Sequence, residues 1–84
     1  MKKKETTALA SIYPNPVKDI LQIHFNSTKQ TQVVIYDARG KLLLKRKVTS
    51  EPVMHIPVAK WSTGIYTVQI SEGANRHVLF FVRQ

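Results

Sequence analysis

Apolar and polar residues alternate along this chain with a period of two, and no stretch carries the 3.6-residue period of a helix of ordinary length. The clearest run is Gly64-Ile65-Tyr66-Thr67-Val68-Gln69-Ile70, which predicts a strand with Tyr66, Val68 and Ile70 facing inward and Ile65, Thr67 and Gln69 outward. Leu21, Ile23 and Phe25 alternate with Gln22 and His24 in a second predicted strand over 20–25. Residues 31–37 are β-branched (Val33, Val34, Ile35), with Val33 and Ile35 placed inward. Residues 41–48 carry three leucines, but they follow the turn Asp37-Ala38-Arg39-Gly40 and read as the hairpin partner of that strand. Asp37 is expected to cap backbone amides there, and Gly40 to take a positive φ. In 53–58, Met54, Ile56 and Val58 share a face, and Pro57 marks an edge strand because it has no amide to donate. Residues 76–83, with Val78-Leu79-Phe80-Phe81-Val82, are apolar on both faces. Leu9 and Ile12 are placed in a first short strand. About seven short strands separated by turn signals predict an all-β chain, an antiparallel β-sandwich, with a small barrel as the competing architecture.

Tyr13-Pro14-Asn15-Pro16 interrupts this pattern between the first two strands. Each proline fixes its own φ, lacks an amide donor and pushes its predecessor out of the helical region. The stretch therefore reads as a stiff corner where a folded module begins, with Asn15 holding a turn through bonds to nearby backbone. Residues 1–10 are polar and without periodicity, and read as linker or tether; residues 11–84 form the domain.

Length and composition set the limits. With 84 residues there is room for one small domain, and with no Cys its core must come from apolar packing alone. No run is long enough to span a membrane as a helix. Met1-Lys2-Lys3-Lys4 imitates the basic start of an export signal, but Glu5-Thr6-Thr7 stands where the apolar segment should follow. The chain is therefore read as cytoplasmic or as a fragment of a longer exported chain. The formal net charge of +8, from 13 Lys and Arg against 5 Asp and Glu, admits an anionic partner. Only Lys45-Arg46-Lys47 forms an internal basic cluster, and no aromatic stands beside it, which disfavours nucleic acid.

Candidate chemistry is sparse. His24, His55 and His77 fall on three separate predicted strands, without the spacing of a metal site. Of the acids, Asp37 is used by its turn, Asp19 starts a strand, and Glu51 and Glu72 sit in loops, so no carboxylate pair is indicated. Nothing resembles a nucleophile elbow or a phosphate-binding glycine loop. Trp61, Tyr13, Tyr36, Tyr66, Phe25, Phe80 and Phe81 fall mostly at positions read as core, Trp61 as an anchor for the 59–64 connection. The expectation is a non-enzymatic module with no catalytic residue, metal or cofactor.

Taken together, Tyr13-Pro14-Asn15-Pro16, Leu21-Gln22-Ile23, Val34-Ile35-Tyr36-Asp37 with Gly40-Lys41-Leu42, Gly64-Ile65-Tyr66-Thr67-Val68-Gln69-Ile70 and a terminal apolar strand resemble the type A C-terminal sorting domain of the Por, or type IX, secretion system of Bacteroidetes. The resemblance runs from about Ala10 to Gln84. It implies an Ig-like β-sandwich at the end of a larger exported cargo protein. It implies folding in the periplasm in transit, recognition by the outer-membrane translocon, and a destination at the cell surface or outside. It further implies cleavage just before the domain by a sortase and linkage of the cargo to anionic lipopolysaccharide, with some members keeping the domain. By resemblance, Pro14, Asn15 and Pro16 match the corner, Asp37 and Gly40 the hairpin turn, and Gly64 and Tyr66 the Gly-x-Tyr strand start. Val78, Leu79, Phe80, Phe81, Val82 and Arg83 match the region most needed for export. Trp61 stands where the pattern often has Leu.

Two readings of the last strand follow. Val78, Phe80 and Val82 would project to one side and Leu79 and Phe81 to the other; one side would serve as a docking face, or an edge would pair with a translocon strand. Open edges also admit a homodimer. A cell-surface adhesion or carbohydrate-binding β-sandwich is the alternative function, and it predicts clustered exposed aromatics or a calcium site.

Overall fold

Two antiparallel sheets pack face to face in the structure, a computed structural model that describes residues 9–26 and 29–84. The strands are β1 (Ala10–Tyr13), β2 (Ile20–Phe25), β3 (Thr31–Tyr36), β4 (Leu42–Val48), β5 (Val53–Pro57), β6 (Gly64–Glu72) and β7 (Asn75–Arg83). One sheet has the order β1-β2-β5 and the other β4-β3-β6-β7. This is the sandwich, not the barrel, because no ladder joins the sheets into a closed ring among the described residues. The β1–β2, β3–β4 and β6–β7 pairs are local hairpins, while the chain crosses between sheets after β2, β4 and β5. The reading of residues 1–10 as tether falls mostly outside the described residues, but Ala10 is the first residue of β1 and is buried, and Leu9 just precedes it and packs on the core; Ile12 lies in β1.

Period-two alternation is what allows one face of each sheet to be buried. Leu21 and Ile23 of one sheet meet Val33, Ile35, Val68, Ile70 and Phe81 of the other, all fully buried. Tyr66, Met54, Ile56 and Val58 complete the inward set, and each occupies the face its periodicity assigns. Val17, outside every strand, is also fully buried. Burying side chains of this size stabilises by about 1.5–3 kcal/mol each, the main favourable contribution in a chain without disulfides.

Three local devices fix the frame. At the β3–β4 turn, Asp37 Oδ1 accepts hydrogen bonds from Arg39 N–H and Lys41 N–H, both at 2.9 Å, and Gly40 has φ +88°. At the start of β6, Gly64 has φ +147°, a region open to glycine. Just beyond it, Tyr66 donates its hydroxyl to the Ser62 carbonyl at 2.5 Å, a tyrosine corner of the kind that pins β-sandwich connections. Trp61 packs beside it, with ring centroids 5.3 Å from Tyr66 and 6.4 Å from Phe81, so it anchors the connection as expected.

Pro57 lies on β5, an edge strand, as its missing amide requires. One aromatic placement differs from the sequence reading. Tyr13 is not core: it is exposed and stacks on His24 at 4.5 Å, because β1 ends at the sandwich margin. Phe80 faces outward with Val78 and Val82 while Phe81 takes the inward position, the division expected for the last strand.

Candidate docking surface at the last strand

β7 is the outer strand of the four-stranded sheet, paired along its whole length with β6, from Glu72↔Asn75 to Gly64↔Arg83. Its even-numbered residues turn their side chains to the outer face of the sheet and their backbone N–H and C=O groups away from β6. Phe80 is 60% exposed, and Val78 and Val82 on the same row are also exposed. Leu79 and Phe81 point in, with Phe81 fully buried and stacked on Tyr66 at 5.1 Å. Arg83 also turns back: its Nε donates to the Val58 carbonyl at 2.9 Å, and its terminal nitrogens donate to the carbonyls of Ala59 and Gln84. Of the six β7 residues singled out in sequence, Val78, Phe80 and Val82 are therefore available to a partner as side chains, and Leu79, Phe81 and Arg83 hold the strand in place.

Cross-strand neighbours extend the exposed row across the sheet. Ile65 lies opposite Val82, Thr67 opposite Phe80, and Gln69 opposite Val78. On the same outer face, Tyr36 pairs with Thr67 and Leu42 with Tyr36. The opposite end of this face is basic: Lys45 stands across from Val34, Lys47 across from Gln32, and Arg76 across from Ser71. The face thus runs from apolar beside Phe80 to cationic beside Arg76.

The proline corner belongs to this surface, which its sequence did not reveal. Both Tyr13-Pro14 and Asn15-Pro16 are cis peptide bonds. Asn15 does not bond to nearby backbone as expected. Its Oδ1 accepts from Val82 N–H at 2.9 Å, and its Nδ2 donates to the Phe80 carbonyl at 3.1 Å. Val17 N–H then donates to the Val82 carbonyl and Gln84 N–H to the Val17 carbonyl, each at 2.8 Å, which makes a short parallel bridge to Arg83. An asparagine offers a donor and an acceptor side by side, as a peptide unit does, so the corner acts as a fragment of strand laid against the end of β7. The one sequence signal for this was Val17, an apolar residue isolated among polar neighbours.

The remaining candidates lie apart. His24, His55 and His77 sit on β2, β5 and β7, and no cluster of three metal-ligating side chains forms among the described residues. A cleft of about 450 Å³ opens beside the β3–β4 turn, with Arg39, Lys41, Lys60 and Trp61 in its walls. Its carboxylate, Asp37, is held below its ordinary range first by the Lys41 amide bond and then by the Arg39 amide and the two cations, with desolvation opposing. That carboxylate serves the turn, and among the described residues no second acid or histidine stands in the cleft walls to work with it.

Comparison with known proteins agrees with this architecture. No curated protein matches the chain. Among solved structures, a DUF3244 family protein from Bacteroides vulgatus, described as having an immunoglobulin-like beta-sandwich fold, superposes with a TM-score of 0.77 over 92% of this chain and 85% of its own, at 13% identity. That similarity establishes the Ig-like β-sandwich fold. The family model described as "Secretion system C-terminal sorting domain" matches residues 11–83, from the second residue of β1 to the last of β7. With both sheets and the proline corner inside the matched span, the chain belongs to the type IX secretion C-terminal sorting domain family.

Proposed function

We propose that this domain is an address label whose readable part is the outward row of β7, Val78, Phe80 and Val82, presented to the type IX translocon while the rest of the sandwich serves as its rigid support. Family membership assigns the chain to the type IX export route as a sorting signal, which supports reading it as a non-catalytic module. The observation that carries the finer reading is the exposure of Phe80 beside a fully buried Phe81. One apolar face of β7 suffices to close the sandwich, so the second is spent in water unless a partner covers it. In this reading the residues ahead of β1 connect a cargo to the domain, the cargo reaches the cell surface or medium after periplasmic transit, and a sortase acts ahead of β1. The basic end of the sheet then lies where anionic lipopolysaccharide could meet it.

A reporter carrying an export signal, fused ahead of the full chain in a type IX-competent Bacteroidetes strain, tests the proposal. The unmodified fusion should reach the surface or medium, and the double variant Phe80→Ser, Val82→Ser should accumulate in the periplasm. Equal export of both would overturn the docking role of this row.

A further inference from the structure

The sandwich has four outer strand edges, on β1, β5, β4 and β7. An open edge pairs readily with any extended chain, and natural sandwiches block theirs. Three are blocked here. β1 is four residues long and ends at Pro14. β5 is preceded by Pro52 and ends in Pro57. β4 carries a register shift opposite Ile35/Tyr36 and then the exposed cations Lys45, Arg46 and Lys47. The edge of β7 is treated differently in its two halves. Asn15 and Val17 occupy the outward backbone groups from the Phe80 carbonyl to Gln84 N–H. The outward N–H groups of Arg76, Val78 and Phe80, and the Arg76 and Val78 carbonyls, have no hydrogen-bond partner among the described residues.

We infer that this open half-edge, residues 75–80, accepts an extended acidic strand of the export machinery as a fifth strand of the sheet. The inference rests on the reading of β7 as the recognised element and gives it a binding mode. Main-chain hydrogen bonds would supply affinity, and alternate side chains the selectivity. The added strand would lie beside Arg76 at one end and beside Val78 and Phe80 at the other. It therefore needs a carboxylate near Arg76 and apolar side chains near Phe80; Lys45 and Lys47 lie on β4 at the far edge of the same face. Its inward side chains would cover the half-buried Leu79. A second copy of this chain fits less well, because it brings another net charge of +8 to an already basic edge. The corner at Asn15 sets where the added strand must stop.

Matched substitutions in the same reporter fusion separate backbone from side chain. Val78→Ala and Val78→Pro both remove the isopropyl group, but only proline removes the outward N–H, at an edge position where proline is tolerated. Export should fall less than about threefold for V78A and about tenfold or more for V78P, the loss expected for a hydrogen bond and its neighbours. Arg76→Pro against Arg76→Ala repeats the comparison away from the apolar row should purified V78P fail to melt cooperatively. Arg76→Glu should lower export about fivefold through like-charge repulsion with an unchanged melting temperature. Equal export of V78P and V78A, with V78P folded, overturns edge pairing, and so does equal export of R76P and R76A; unchanged export of R76E overturns the acidic occupant. If these results coincide with loss of export in the Phe80, Val82 double variant, the address reading stands without the edge. A purified chain that sediments as a dimer, with V78P a monomer, would instead assign the edge to self-association and overturn the inference.

Discussion

Asn15 and Val82 are hydrogen-bonded at 2.9 Å across 67 residues of sequence, and through this contact the corner that opens the domain closes its last strand. The same side chain reaches the Phe80 carbonyl, so a single amide bridges two outward backbone positions of β7. Asn15→Ala should lower the melting temperature by about 8–16 °C, from the loss of two hydrogen bonds worth about 1 kcal/mol each. Asn15→Asp keeps the acceptor for Val82 but turns a carboxylate oxygen toward the Phe80 carbonyl, so it should rescue little. Amide exchange of Val82 N–H should accelerate in Asn15→Ala and stay slow in the parent; equal rates would show that the bond does not hold the strand.

Phe80 and Phe81 are adjacent and should behave as opposites. Phe81→Ala empties a fully buried position stacked on Tyr66 and should cost about 3–5 kcal/mol, much of the stability of a domain this small. Phe80→Ser should change stability by no more than about 0.5 kcal/mol, since its ring already faces water. Urea denaturation of both variants decides this, and a large loss in Phe80→Ser would show that its ring is covered in solution.

Asp37 links the β3–β4 turn to pH. Its folded pKa is lowered, chiefly by the hydrogen bond from Lys41 N–H, so the native state binds fewer protons than the unfolded state in the window between the two pKa values. The stability it contributes is present above the ordinary carboxylate pKa and is lost as pH falls through the lower folded value. The melting-temperature gap between the parent and Asp37→Asn should be widest near neutral pH and shrink on acidification through that window. A gap that stays constant down to the lowest pH would contradict the assignment.

Gly40 stands in the same turn with φ +88° and open space where a Cβ would project. Gly40→Ala should therefore cost about 1–2 kcal/mol from backbone conformation alone, and Gly40→Asn less, because asparagine tolerates the left-handed region. Chemical denaturation should show a lower midpoint with an unchanged slope for both variants; equal losses for Ala and Asn would place the cost elsewhere.

Alternation by itself determined the strands and their inward residues, because local backbone geometry makes period two inseparable from facing, and the residue types at Asp37 and Gly40 determined the turn. Tyr66, Val68 and Ile70 could be assigned to the core from their spacing alone, and Pro57 to an edge from its missing amide. The sequence also carried the resemblance to the sorting-domain family in its ordered motifs. It could not show which edges remain open. Edge status depends on which strands become neighbours, and that is decided by long-range pairing between segments such as β3 and β6, not by either segment. The partner of Asn15 lies 67 residues away and leaves no local trace, so a corner that reads as self-contained is a clasp on β7. Tyr13 was misplaced, and the sequence did not show which side of the last strand faces water, for the same reason: an aromatic residue states that it is large and apolar, and only the tertiary packing decides whether its face of the strand meets the other sheet or water.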